Sequence, residues 1–213
     1  MSPFPREMAD RWHSRPEPEP GQAQLYWHIL MNDQPEVRAL AALAQQRLAR
    51  FPGLHFTPLE WLHSTVHMVG LADDIEVSSI DQMIRLTRQR LHKIPPISVS
   101  FGQVLYHPEA VTLGMRPVGA LDSLFDAVRD AARSAVGRPG DAVTTRWPPH
   151  VTVAYSTAFQ AAGPIITALG RELPDCNVTV SSISLIAQQG AERQWDWRSV
   201  AEIQLGPERL PET

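Results

Sequence analysis

The chain has 213 residues, of which 43% are hydrophobic and 20% charged, so it can bury a sizeable core as one large domain or two intimate lobes. Its formal net charge of −4 argues against a protein that grips long nucleic acid, because such binding depends on clustered lysine and arginine. A single cysteine excludes an internal disulfide and a cysteine-based zinc site, and no apolar run is long enough for a membrane span or signal-peptide core. We therefore expect a soluble, cytoplasmic protein.

The first 22 residues differ in composition from the rest of the chain. Five prolines fall within residues 1–22, with charged residues between them and little apolar periodicity. Such a composition is typical of an extended or disordered segment. We therefore interpret residues 1–22 as a disordered, proline-rich arm, residues 23–206 as a single domain and residues 207–213 as a tail.

The first half of the domain predicts three strands and two helices. The strands are short apolar or alternating runs at residues 25–31, 54–57 and 64–71. The helices carry apolar residues three and four positions apart, one beginning at Pro35 and the other covering residues 78–92.

The second half predicts a hairpin, two helices and three further strands. In chain order these are hairpin strands 97–105 and 110–115, a helix from Gly119, a strand from His150, a helix over 159–173, and strands 177–188 and 195–205. Helices that alternate irregularly with consecutive strands are typical of an α+β fold with mainly antiparallel sheets.

One motif occurs once in each half of the domain. His63 and Thr65 open the strand at 64–71, and His150 and Thr152 open the strand that begins at His150. Side chains alternate along a strand, so each histidine shares a face with the threonine two residues later. An imidazole and a hydroxyl roughly 6–7 Å apart can reach different atoms of one phosphate. The recurrence indicates two related lobes.

The paired His-x-Thr motifs resemble those of the 2H phosphoesterase superfamily, which includes the 2′–5′ RNA ligases and RNA cyclic phosphodiesterases. The resemblance extends over residues 26–205. It implies a bilobal, pseudo-twofold α+β fold in which two mainly antiparallel sheets face a central groove and helices pack outside. It also implies hydrolysis of a 2′,3′-cyclic phosphate or a related phosphodiester, with no cofactor and no metal.

The same resemblance suggests a role for each motif residue. His63 and His150 are expected to act as general acid and general base, while Thr65 and Thr152 hold the non-bridging phosphate oxygens. Family analogy favours His150 as the base, but the sequence leaves that assignment open. The expected substrate is a small nucleotide or short RNA that carries a cyclic phosphate, and we expect a monomer.

Four further residues are candidates for substrate contacts. His67 is predicted on the same strand face as the first motif, and Arg146 lies in the loop before the second. His28 directly follows Tyr26 and Trp27 in the first strand, and Tyr155 could stack on a base. Each also has an ordinary structural reading, because strand aromatics are usually core residues and loop arginines usually face solvent.

Two alternatives to this function are open at this stage. His63, His67 and His150 would form a three-histidine metal site if the first motif were helical. The β-branched residues of that segment favour a strand, and the Glu of a His-Glu-x-x-His motif is missing. The second alternative is a groove that binds phosphorylated nucleotides or RNA ends without turnover. The presence of both motif histidines favours an enzyme.

Overall fold

The computed structural model describes residues 4–13, 15, 17–137 and 148–207. Its strands are β1 (Glu7–Met8), β2 (Ala23–Leu30), β3 (Leu54–Phe56), β4 (His63–Leu71), β5 (Ile97–His107), β6 (Ala110–Gly114), β7 (His150–Ser156), β8 (Gln160–Ala161), β9 (Glu172–Val180), β10 (Ser182–Gln189) and β11 (Trp197–Gln204). Its α-helices are α1 (Pro35–Leu48), α2 (Val77–Leu91), α3 (Asp122–Val136) and α4 (Ala162–Leu169). This order confirms the predicted α+β fold.

The strands form two principal sheets. One has the order β11-β10-β2-β4 and the other the order β3-β7-β6-β5-β9, and every pairing in the described part of the chain is antiparallel. The motif strands β4 and β7 belong to different sheets and contact each other. The fold is therefore the predicted bilobal one, with one motif strand supplied by each lobe.

The helices cover the outer faces of the two sheets. Helices α2 and α3 pack together against the four-stranded sheet, α1 packs against the five-stranded sheet, and α4 packs against α1 and β1. Helix α1 begins with a proline in its first turn and buries Val37, Leu40, Ala41, Ala44 and Leu48, which recur every three or four residues. Within the described ranges, no helix combines the length and apolar character needed to cross a membrane.

The region after the second motif departs from the predicted elements. Helix α4 covers only Ala162–Leu169, because Gly170 adopts a positive φ of 81° and ends it. The chain then alternates buried and exposed residues from Glu172 onward, which makes β9 a strand of the five-stranded sheet. The long strand predicted over 177–188 is divided at Ser181, and β10 continues in the other sheet. One segment thus contributes to both lobes.

The prediction of a disordered arm is wrong for residues 4–13. Strand β1 pairs with β8, and the Met8 side chain lies in the main core with 1% of its surface exposed. The amide of Arg11 donates to the carbonyl of Ser156 at 3.0 Å. The prolines dominated the composition of the segment, whereas Met8 and Trp12 supply the apolar surface that lets it pack.

Candidate functional site

Strand β4 carries a β-bulge directly after Thr65. His28 of β2 pairs with Thr65 and Trp27 pairs with His67, so Val66 is the extra residue between the two pairs. Opposed residues on antiparallel strands share a face, whereas Trp27 and His28 are consecutive and point to opposite faces. The register therefore places His67 with Trp27. The prediction that His67 shares the face of Thr65 is wrong, because the bulge reverses the alternation.

Strand β7 carries a bulge at the equivalent position. Thr112 of β6 pairs with Thr152 and Ala110 pairs with Tyr155, which leaves Val153 as the extra residue. Because Thr112 and Ala110 are two residues apart, they share a face, and Thr152 and Tyr155 share it with them. Strict alternation from His150 would place Tyr155 on the opposite face. The bulge instead places this aromatic side chain on the same face as Thr152.

The two motif histidines are anchored in the same way. The Nδ1 atom of His63 lies 2.8 Å from the carbonyl oxygen of Trp61, and that of His150 lies 2.9 Å from the carbonyl oxygen of Pro148. A carbonyl oxygen only accepts, so each Nδ1 carries the hydrogen and donates it. The lone pair of each neutral ring is therefore on Nε2. Both imidazoles are thus fixed in the tautomer that leaves Nε2 for proton transfer.

The environment of both rings favours the neutral form. Burial lowers the pKa of His63, the bond to the Trp61 carbonyl and the charge of Glu192 oppose this effect, and the charge of His150 lowers the pKa further. Burial also lowers the pKa of His150, with smaller contributions in the same direction from the charges of His107 and Arg11. The two strands that carry these rings, β4 and β7, contact each other.

His28 supports the first motif from within the sheet. Only 2% of its surface is exposed, its ring stacks on His63 and its Nε2 lies 3.3 Å from Oγ1 of Thr65. Burial, followed by the charge of His63, holds the pKa of His28 well below its usual value. Its Nδ1 has no hydrogen-bond partner in the described structure. A buried N–H without an acceptor is costlier than a lone pair, so we assign the hydrogen to Nε2, which donates to Thr65.

Two tryptophans that the sequence analysis overlooked also lie at the site. The ring centroids of Trp197 and Trp195 are 5.0 Å and 6.2 Å from that of His63, and Trp195 stacks on Tyr155 at 5.9 Å. Both belong to the last two strands and their connection, far from either motif in sequence. Their clustering as Gln-Trp-Asp-Trp was the one visible signal.

Two other hypotheses from the sequence concern Arg146 and a metal. Arg146 lies outside the described residues. The part of the chain that the structure describes contains no group of three or more His, Cys, Asp or Glu side chains placed to hold a metal ion. In particular, the trio of His63, His67 and His150 is not assembled, because His67 points to the other face of β4.

Two facing antiparallel sheets, each with a His-x-Thr strand and a matching bulge, define a phosphoesterase of the two-histidine class. The family model described as the 2′–5′ RNA ligase superfamily matches residues 32–192. The chain belongs to this superfamily, and the resemblance drawn from the motifs is confirmed. Membership indicates an enzyme of the phosphodiesterase type.

Solved structures share the same fold at low sequence identity. The protein TT0787 of Thermus thermophilus is 16% identical with a TM-score of 0.64, covering 87% of this chain and 100% of its own. E. coli LigT in complex with 3′-AMP is 18% identical with a TM-score of 0.64, covering 86% and 98%. LigT has also been crystallised with ATP, NADP+ and phosphate. A comparison with curated proteins gave no match.

Proposed function

We propose that this chain hydrolyses a 2′,3′-cyclic phosphate, on a nucleotide or an RNA end, or a related phosphodiester. The observation that carries the proposal is the matched anchoring of His63 and His150 through Nδ1, which gives both rings the same tautomer. Each ring also shares a strand face with a threonine hydroxyl. The site thus offers two proton-transfer groups and two hydroxyl donors, as an in-line displacement at phosphorus requires.

The proposed reaction uses the two Nε2 atoms in complementary ways. One Nε2 accepts a proton from water as the water oxygen bonds to phosphorus. The bond from phosphorus to one ribose oxygen breaks, and the protonated Nε2 of the other ring gives its proton to that oxygen. Because burial lowers the pKa values of both histidines, an anionic phosphate between them is needed to favour the protonated acid. Substrate binding and activation of the acid are therefore coupled.

Each threonine is supported by an aromatic side chain of its own sheet. His28 donates to Thr65 through Nε2, and Tyr155 lies on the same strand face as Thr152. With Oγ1 accepting from His28, the Thr65 hydroxyl keeps its proton for a non-bridging oxygen of the substrate. We therefore assign His28 and Tyr155 to positioning, and Thr65 and Thr152 to direct phosphate contact.

The expected substrate is small. The net charge of −4 disfavours long nucleic acid, and the LigT complexes show that a protein of this fold accommodates mononucleotides and a dinucleotide cofactor. We propose a nucleotide or short RNA with a cyclic phosphate as the substrate, and a cytoplasmic monomer as the active form.

The proposal is tested by assaying purified protein against cyclic mononucleotides, cyclic-phosphate-ended oligonucleotides and ADP-ribose cyclic phosphate, with and without EDTA. We expect turnover that survives the chelator and disappears in His63→Ala and His150→Ala. Loss with EDTA and recovery with zinc would overturn the metal-free mechanism. Binding of these ligands by wild type without turnover would instead support the alternative of a non-catalytic groove.

A further inference from the structure

The segment formed by residues 6–13, termed the strap, lies outside the range that matches the superfamily and runs along the five-stranded lobe. The amide of Ala9 donates to the carbonyl of Pro108 at 2.7 Å, and the amide of Arg11 donates to the carbonyl of Ser156 at 3.0 Å. Ser156 is the last residue of β7, which begins at the motif histidine His150. The strap therefore reaches the far end of the second motif strand.

Arg11 joins the two lobes at that end. Its Nε and one terminal nitrogen donate to the two carboxylate oxygens of Glu192 at 2.8 and 2.7 Å, and its other terminal nitrogen donates to Glu109 at 3.1 Å. Glu192 belongs to the β10–β11 loop (residues 190–196) of the four-stranded lobe, whereas Glu109 lies in the β5–β6 turn of the other lobe. Only 15% of the Arg11 side chain is exposed. A part-buried bidentate pair of this kind holds its partners more firmly than a fully exposed ion pair does.

The β10–β11 loop, which Arg11 holds, brings Trp195 into contact with residues of both motif strands, β4 and β7. This residue adopts a left-handed backbone, with φ at 55°, and its ring stacks on Tyr155 at 5.9 Å while lying 6.2 Å from His63. The ring centroid of Trp12, in the strap, lies 5.6 Å from that of Tyr155, and the Arg11 guanidinium lies 4.4 Å from the Tyr155 ring centroid. Tyr155 retains 6% exposure although it points into the groove. The groove is therefore filled with side chains at this end.

We propose that the strap and the β10–β11 loop close one end of the groove and restrict the substrate to a terminal phosphate. This inference rests on the proposed function and selects among its substrates. A 2′,3′-cyclic phosphate on a mononucleotide or RNA end fits between the two motif histidines and the side chains that close this end of the groove. A phosphodiester inside a chain does not, because the chain would have to continue past Tyr155.

The charges at the closed end of the groove also disfavour a chain that continues past Tyr155. A continuing chain would bring a further phosphate toward Glu109 and Glu192. The cations that face them there, Arg11 and Arg15, are already paired with these carboxylates. The cluster therefore offers a second phosphate no uncompensated positive charge, and desolvating the carboxylates beside it would be unfavourable.

The test compares kcat/KM for adenosine 2′,3′-cyclic phosphate with that for a trinucleotide containing one internal 2′–5′ linkage. We expect wild type to favour the cyclic phosphate by at least about 100-fold, since a steric wall discriminates more strongly than a missing contact. Arg11→Ala should reduce this ratio at least about tenfold. Glu192→Gln keeps the side-chain shape but weakens the pair with Arg11, so it should also reduce this ratio. It replaces Arg11→Ala as the test variant if that variant folds poorly.

Arg15→Ala is the matched control. Like Arg11, Arg15 donates to Glu109, at 2.7 Å. It differs in being exposed and, within the described residues, in pairing with Glu109 and not with Glu192. Its loss should not lower the ratio, because the pair between Arg11 and Glu192 stays in place. Hydrogen exchange of residues 190–196 provides a readout that does not depend on activity, and it should accelerate in Arg11→Ala and not in Arg15→Ala.

The outcomes separate this inference from the proposed function. Comparable cleavage of both substrates by wild type would overturn the inference and leave the phosphodiesterase proposal standing. If Arg11→Ala and Glu192→Gln both folded and the ratio of the two kcat/KM values stayed unchanged in each, the inference would also be overturned. If wild type cleaved neither substrate, the proposed function would fail and the substrate restriction with it, while the exchange data would still decide whether Arg11 holds the loop.

Discussion

The imidazole of His28 stacks on that of His63, with ring centroids 4.2 Å apart and planes 19° from parallel. Charging both rings at this separation in a buried site would be strongly unfavourable. Burial already holds the pKa of His28 well below its usual value, and the charge of His63 lowers it further. His28 therefore stays neutral while His63 gains and loses its proton, and the bond from His28 to Thr65 persists through the proposed cycle.

Replacing His28 by phenylalanine should remove that bond while retaining an aromatic ring against His63. We expect kcat to fall about tenfold with KM little changed, which corresponds to the net value of one hydrogen bond. His28→Gln, which can still donate from its amide, should recover part of the loss. Steady-state kinetics on a cyclic mononucleotide measure both. Equal loss in the two variants, or a change in KM alone, would argue against a role in orienting Thr65.

Stability should depend on pH through the same buried ring. Unfolded His28 binds a proton near its usual pKa of about 6.5, whereas the folded pKa is well below that value. The unfolded state therefore binds more protons as pH falls below about 6.5, so the free energy of unfolding decreases there by up to about 1.4 kcal/mol per pH unit for each such group.

Urea denaturation at several pH values between neutrality and about pH 5 measures this slope. His63 and His150, whose pKa values are also lowered, should contribute in the same direction. His28→Phe should show a shallower slope than wild type because one titrating group is removed. An identical slope would mean that His28 is not held neutral in the folded protein.

The sequence predicted most elements and both motifs because these depend on local signals. Apolar spacing identified α1 and α2, and the His-x-Thr pairs identified the site without knowledge of the sheets. The strand face predicted for His67 was wrong, and alternation alone also misplaces Tyr155, because a bulge interrupts the alternation in each motif strand. The bulges at Val66 and Val153 are defined only by the pairing with a partner strand, so the sequence of one strand does not reveal them.

The strap was missed for a related reason. Composition describes the average of a segment, and the prolines of the first 22 residues outweighed one methionine and one arginine whose partners are distant in sequence. Met8 is buried against other elements, and Arg11 meets Glu109 and Glu192 about a hundred residues or more further on. Such contacts have no local signature, so only the fold reveals them.

The two motif histidines should behave as a unit. His63→Ala and His150→Ala should each reduce turnover by about 10²–10⁴-fold, and the double variant should be little worse than the poorer single one. His67→Ala is the control, because it removes a histidine from the same strand whose side chain points to the other face. Retention of more than about a tenth of wild-type turnover by either motif variant would exclude the paired mechanism.

The packing of the strap predicts a stability effect at Met8. Its side chain is 1% exposed, so Met8→Ala should lower the free energy of unfolding by about 2–5 kcal/mol through lost burial and a residual cavity. The neighbouring Glu7 is exposed, and Glu7→Ala should change stability by less than about 0.5 kcal/mol. Urea denaturation of the two variants checks this. Equal stability of Met8→Ala and wild type would mean that the strap is detached in solution.

The pH dependence of kcat/KM should reveal the role of each histidine. The profile should be bell-shaped, because one ring must be neutral and the other protonated, and its limbs report the free enzyme. Burial lowers the pKa of both His63 and His150, so the maximum should lie on the acid side of about 6.5. A maximum above about pH 7.5 would contradict the buried environment of the two rings.

Arg11 offers a way to assign the limbs. Its positive charge contributes to lowering the pKa of His150, whereas the charge of its partner Glu192 contributes to raising the pKa of His63. The double variant Arg11→Ala/Glu192→Gln should therefore move the limb of His150 toward higher pH and the limb of His63 toward lower pH. An acid limb at higher pH identifies His150 as the base, which family analogy favours, and a basic limb at higher pH identifies it as the acid. Arg15→Ala should move neither limb. A substrate with an activated leaving group gives an independent assignment, because it should rescue loss of the acid and not loss of the base. Suppose that the shifted limb identifies one histidine as the base. If the activated substrate then rescued the alanine variant of that histidine, the assignment would be wrong.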